Sequence, residues 1–283
     1  MTDTALEIRG LCKSYRDFQL KNINLTLPSG CIMGLIGENG AGKSTTIKLI
    51  LNMLHRDSGE ILVLGHDNRK GFHTIKEDLG VVLDECFVPE TLTAHDLDHI
   101  LKNVYQRWSR ERFSSYLSRF HLPEKKPVKE YSRGMKMKLA IAMALSHHPK
   151  LLLLDEATSG LDPIVRDEIL DVFFDFIQEE DHAILISSHI ISDLEKVCDY
   201  IAFLHRGKLV FSKPKDDLLS AYRVVKGSER EIAGIPSSRI HGIRRNSFGT
   251  EALVDAASVP PGLIADPADI ETVMLYFAKG DSQ

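Results

Sequence analysis

Apolar residues in the first third of the chain come in short runs. Residues 5–8, 23–27 and 31–37 are rich in Ile and Leu, and a Pro-Ser-Gly turn signal separates the last two, so they read as strands. A glycine cluster follows, and residues 44–55 then take up a helical pattern. Residues 60–65 and 79–84 read as two more strands. Over residues 93–120 the period becomes that of a helix, with Leu97, Ile100, Leu101 and Val104 on one face. Residues 151–156 form a continuous apolar run closed by two acids, the pattern of a strand buried on both faces of a parallel sheet. Pro163 sits where the first turn of a helix running to about Gln178 is expected. Residues 183–188 and 200–205 repeat the buried-strand pattern.

Strands that alternate with helices through the middle of the chain predict an α/β fold whose central sheet is largely parallel, with an antiparallel β-group at the N-terminus. Residues 93–146 contain helical patterns and no convincing strand, and read as a helical subdomain inserted between strands. Beyond about Tyr222 weak strand signals alternate with Gly, Pro and Ser, and an amphipathic helix is predicted over residues 266–280. This divides the chain into a large domain, 1–221, and a small separate C-terminal extension, 222–283.

Composition narrows the function. Of 283 residues, 43% are hydrophobic, enough for one large domain with an appendage. A formal net charge of -5 supplies no field to hold nucleic acid or an anionic lipid surface. Cys12, Cys31, Cys86 and Cys198 are scattered, without C-x-x-C spacing or a His partner, and read as buried small hydrophobes of a reducing compartment. The first ten residues are polar and charged, unlike a signal peptide, and no apolar run approaches the roughly 18–20 residues that cross a bilayer. The expectation is a chain soluble by itself, which needs another chain for any membrane part.

Gly37-Glu38-Asn39-Gly40-Ala41-Gly42-Lys43-Ser44, followed by Thr45, matches G-x-x-x-x-G-K-[ST] in full, between a strand and a helix. Glycines let the backbone wrap around phosphate oxygens, and amide N–H groups at the helix N-terminus face the anion. This assigns Lys43 to the β- and γ-phosphates and the Ser44 hydroxyl to Mg²⁺, the pattern of a P-loop NTPase binding ATP. Asp155, at the end of the 151–156 strand, is the matching metal carboxylate. Glu156 is the candidate general base for an attacking water, because the chain turns there and can aim it at the γ-phosphate.

Further motifs narrow the class. Tyr131-Ser132-Arg133-Gly134-Met135, some twenty residues before the acidic run, resembles in degenerate form the LSGGQ signature of ABC ATPases. Ser159-Gly160-Leu161-Asp162 resembles that family's D-loop, His189 its switch histidine, and Tyr15 the aromatic that stacks on adenine. Phosphate loop, signature, acidic pair, D-loop and histidine stand in the family's order, and the resemblance covers about residues 5 to 220. It implies a head-to-tail dimer enclosing two ATPs. Ser132 and the Gly134 amide of one subunit would bind the γ-phosphate held by Lys43 of the other, and His189 would contact the same phosphate. Each motif occurs once, so a second ATPase subunit, identical or related, is required.

Three features depart from the family's pattern. Asp84 stands where the family has a Gln that touches Mg²⁺, with Glu85 beside it; Asp84 is kept as a candidate metal ligand. Arg133 and Met135 replace a glycine and a glutamine of the signature. Arg133, Lys136 and Lys138 form a basic cluster, read either as a phosphate or acidic-partner site or as a solvated helix face, and not as a nucleic-acid site. The chain most resembles stand-alone ATPase subunits of bacterial exporters for drugs or antimicrobial peptides. That implies a separate transmembrane permease, docked near residues 84–89, and a peripheral position on the cytoplasmic face of the membrane. The alternative is a soluble ABC ATPase acting as an assembly scaffold without transport.

Overall fold

The structure is a computed structural model that describes residues 4–84, 87–246 and 249–280. Its first half runs β1 (Thr4–Ser14), β2 (Gln19–Pro28), β3 (Ile32–Ile36), α1 (Lys43–Ile50), β4 (Ser58–Val63), β5 (His66–Asp67), the single turn α2 (Phe72–Ile75), β6 (Leu79–Val82), α3 (Ala94–Leu101), α4 (Arg110–Arg119) and α5 (Arg133–Leu145). The second half runs β7 (Leu151–Asp155), α6 (Pro163–Phe176), β8 (Ala183–Ser188), α7 (Ile191–Val197), β9 (Tyr200–His205), β10 (Lys208–Pro214), α8 (Lys215–Ala221), β11 (Tyr222–Gly227), α9 (Glu229–Ile232), β12 (Ile240–Asn246), β13 (Gly249–Asp255), β14 (Ile264–Pro267) and α10 (Ile270–Gly280).

The central sheet has the order β10-β9-β3-β8-β7-β6. Five of its strands are parallel, and β10 closes one edge antiparallel to β9. Every residue of β3, β7 and β8 is buried, as their unbroken apolar runs require. Alternate residues of these strands feed different cores. Met33, Leu35, Leu151, Leu153 and Leu185 pack towards the antiparallel sheet β2-β1-β4-β5 and α1. Ile32, Ile36, Leu152, Leu154, Ile184 and Ile186 pack towards the helices that include α5, α6 and α7. The two-residue period of a strand thus splits one sheet between two apolar layers.

The predicted helix over 93–120 is broken into α3 and α4. Leu97 turns inward, but Ile100 and Val104 are 45% and 54% exposed. The interruption is held by aromatic residues that a straight helix could not place. Trp108 Nε1 donates to Asp98 at 2.9 Å. Tyr105 stacks on His147 with ring centroids 4.0 Å apart, and Ser109 caps the next helix by accepting from the Arg112 amide. The helix predicted over 44–55 stops at Ile50, because Asn52 turns left-handed with φ 53°.

The C-terminal residues form an antiparallel sheet, β12-β13-β11-β14, and α10. They have a small apolar cluster of their own, around Val225, Ile232, Ala252 and Val254, and they also pack on the large domain. Tyr222, Ile270, Val273 and Tyr276 belong to the same apolar core as α6 and α7, and the Ile270 amide donates to the Glu195 carboxylate of α7.

A candidate ATP site at the sheet's C-terminal edge

Parallel register sets the site. Leu35 pairs with Ser187, and Asp155 pairs with the same Ser187 from the other side. The loops leaving β3, β7 and β8 therefore emerge side by side at the carboxyl ends of the strands, where open α/β sheets bind ligands.

The loop after β3 is shaped by two glycines. A Cβ on Gly37 would lie 2.4 Å from the Leu204 carbonyl oxygen, and Gly42 has φ 111° with its Cβ position 2.5 Å from Leu20. Neither position tolerates a side chain, so the loop lies flat over β9 and β2 and opens directly into α1 at Lys43. Ala41 is buried, and its amide closes the turn on the Glu38 carbonyl at 3.1 Å. The Lys43 ammonium is held back by the loop itself. It donates to the Gly37 carbonyl at 2.8 Å and lies 3.5 Å from a Glu156 carboxylate oxygen.

Asp155 is 3% exposed and accepts from two hydroxyls, Ser44 at 3.1 Å and Ser187 at 2.6 Å. Ser187 also accepts from the Glu156 amide at 3.1 Å. The backbone of Glu156 is left-handed, φ 53°, a conformation that is strained for a non-glycine residue. This turn, expected from the sequence, carries the carboxylate out of the strand. One oxygen faces Lys43 and the other meets His189 Nδ1 at 2.7 Å. Lys43, Ser44, Asp84, Arg133, Glu156 and His189 share one cavity of about 680 Å³, whose lining also takes in Asn39, Gly40 and Thr45.

Tyr15 does not line that cavity. It stands 44% exposed on an adjoining one of about 490 Å³, which shares Glu38, Asn39 and Gly40 with the first, and the Lys13 ammonium lies 5.4 Å from its ring centroid. Ser132 and Gly134 do not line it either. Ser132 is exposed and caps α5 by accepting from the Met135 amide at 3.2 Å, while Gly134 faces Val165 of α6. Asp84 is on the cavity, but its partner is Arg133, at 3.4 Å. Glu85 and Cys86 lie outside the described residues. Among those described, no group of three or more His, Cys, Asp or Glu side chains converges as a metal cage.

Each cation of the basic cluster on α5 has an acidic partner. Arg133 pairs with Asp84, Lys136 with Glu90 at 2.8 Å, and Lys138, only 8% exposed, with Glu168. Sequence reading missed Ser187. The available signal was a pair of serines closing an otherwise apolar strand beside the acidic one.

A family model described as ABC transporter matches residues 20–159. The lantibiotic transport ATP-binding protein SrtF of Streptococcus pyogenes is 37% identical over 215 residues, 75% of this chain and 91% of that protein. The bacitracin transport ATP-binding protein BcrA of Enterococcus faecalis is 35% identical over 208 residues, 72% of this chain and 68% of its own length. A solved structure of the ATP-binding subunit of an ABC transporter superposes with a TM-score of 0.68 at 27% identity, covering 76% of this chain and 91% of that one. The fold, the phosphate loop and these relatives agree: the chain belongs to the ATP-binding ATPase subunits of the ABC transporter family.

Proposed function

We propose that the chain hydrolyses ATP to drive a separate membrane permease that exports an antimicrobial peptide or a similar drug-like compound. The observation that carries the ATPase reading is the Glu156 carboxylate, turned out of β7 on a left-handed backbone between Lys43 and His189. Bound triphosphate takes over the Lys43 ammonium from the Gly37 carbonyl. Glu156 then accepts a proton from the attacking water. The new P–O bond forms as the bond from the γ-phosphorus to the β–γ bridging oxygen breaks, leaving ADP and phosphate. His189 holds the carboxylate in position through its ring nitrogen. Ser44 and Asp155 are hard-oxygen groups 3.1 Å apart and would hold Mg²⁺. When bound there, the ion neutralises charge on the β- and γ-phosphates.

Ser132 and Gly134 do not line the cavity of their own chain, which supports their serving the phosphates of a second subunit. The permease surface we assign to an apolar groove of about 230 Å³ between β6 and the helices α3 and α5, lined by Val82, Leu83, Phe87, Leu101, Tyr105 and Met143. Phe87 is 74% exposed at its mouth, the kind of apolar surface that marks a docking site. No helix of the described residues is long and apolar enough to cross a membrane, so the reading places the chain on the cytoplasmic face through its partner. The likeness to SrtF, a lantibiotic transport protein, and BcrA, a bacitracin transport protein, supports the substrate class.

The test is recovery of tagged Glu156→Gln from detergent-solubilised membranes of its native host. A stoichiometric multi-span protein supports the transporter reading. Soluble partners alone overturn it in favour of an assembly scaffold.

A further inference from the structure

Two of the positions at which the chain departs from its family's pattern meet in the fold. The Arg133 guanidinium lies 3.4 Å from an Asp84 carboxylate oxygen. It also rests on Gly160, where a Cβ would stand 2.7 Å from Nη1, so the guanidinium fits there because residue 160 is glycine, at φ 68°. Arg133 is thereby laid along the wall of the cavity that holds Lys43, Ser44 and Glu156 of the same chain. The charges of that cavity are unbalanced. Asp17, Glu38, Asp84 and Glu156 line it, against two permanent cations, Lys43 and Arg133. The hold of Asp84 on Arg133 is weak, because both side chains are more than half exposed and the contact is single. A triphosphate offers several anionic oxygens in a geometry that matches the guanidinium fork, and displaces a lone carboxylate.

We propose that Arg133 binds the triphosphate held by Lys43 of its own chain, with Asp84 parking the guanidinium until nucleotide arrives; this rests on the ATP-site reading above. Arg133 is then a cation supplied within one chain, whereas Ser132 and Gly134, its sequence neighbours, serve the other subunit.

The experiment is titration of dilute, monomeric chain with Mg²⁺ and AMP-PNP, and separately with Mg²⁺ and ADP, followed by calorimetry. Arg133→Ala is expected to weaken AMP-PNP about tenfold, the effect of one charge-assisted contact, and ADP far less. Arg133→Lys, a point charge without the fork, is expected to fall between. Unchanged circular dichroism and urea midpoint establish that the variants fold. Unchanged AMP-PNP affinity in monomeric Arg133→Ala overturns the proposal. Mixed dimers give a second reading. A Lys43→Ala, Arg133→Ala chain paired with wild type should turn over like Lys43→Ala paired with wild type, whereas Lys43→Ala paired with Arg133→Ala should be slower. The reverse order places the arginine in the opposite subunit's site and overturns the proposal. Wild-type chain that binds neither nucleotide overturns instead the ATP-site reading beneath it.

Discussion

Ser187→Ala isolates the support beneath the acidic pair. Ser187 is fully buried, and its hydroxyl donates to Asp155 at 2.6 Å while accepting from the Glu156 amide at 3.1 Å. The Glu156 amide keeps a second partner, the Ser187 carbonyl at 3.1 Å. Asp155 keeps the Ser44 hydroxyl at 3.1 Å. The substitution therefore removes one hydrogen bond to a buried carboxylate and leaves no orphaned donor. Such a bond contributes about 1.5–3 kcal/mol, and the lost oxygen leaves too small a void to add much. Urea unfolding should register that loss. Activity should fall as well, because groups that orient metal ligands typically matter by about 10–100-fold in metal affinity or rate. The assay is ATP turnover at fixed ATP against Mg²⁺ concentration, where the half-saturating Mg²⁺ should rise. Ser188→Ala is the control. Its hydroxyl accepts from the Ile190 amide at 2.9 Å, away from Asp155, and its loss should leave the Mg²⁺ dependence alone. Stability within about 0.5 kcal/mol of wild type, the range of neutral substitutions, together with an unmoved Mg²⁺ curve, would refute the reasoning.

Other consequences are simpler. Lys43→Ala removes the ammonium that bridges the loop and Glu156; nucleotide binding should weaken and turnover should drop at least about 10²–10³-fold, and wild-type hydrolysis in that variant contradicts the site. Burial pushes the His147 imidazole below its ordinary pKa, with the Arg107 charge nearby acting in the same direction and the Glu77 carbonyl contact opposing. A group depressed in the fold is protonated first in the unfolded chain. Stability should thus be full above the unfolded value of about 6.5 and fall as pH drops below it, by up to about 1.4 kcal/mol per pH unit. His147→Gln should flatten this part of the urea-midpoint profile between pH 7.5 and 5.5, and an identical slope in the variant would refute the assignment.

Much of this was legible in the sequence where a motif and a buried strand coincide. The phosphate loop is written in contiguous residues, and Gly37 and Gly42 have no room for a side chain. The acidic pair follows from an apolar run that ends in charge. A turn at Glu156 was expected from the end of the strand; its left-handed backbone was not. What the sequence hid is long-range. Ser187 joins Asp155 across 32 residues through parallel pairing. Asp84 and Arg133 meet across 49 residues, although each was visible as a departure on its own. The break between α3 and α4 comes from Trp108 and Tyr105 finding partners, which overrides a helical period that continues in the sequence. Docking of the C-terminal sheet onto the core depends on Tyr222 and Tyr276, whose burial no local pattern announces.

We read the phosphate site as one completed by a second subunit, with Glu156 as the base. Glu156→Gln keeps the side chain's shape and its reach to His189 but removes the proton acceptor and the charge facing Lys43. Removing a general base costs about 10²–10⁴ in rate, so ATP should stay intact. Sedimentation velocity of this variant with ATP and Mg²⁺ should show a dimer that dissociates when ADP replaces ATP. A monomer at every ATP concentration, with nucleotide bound, would contradict the composite site.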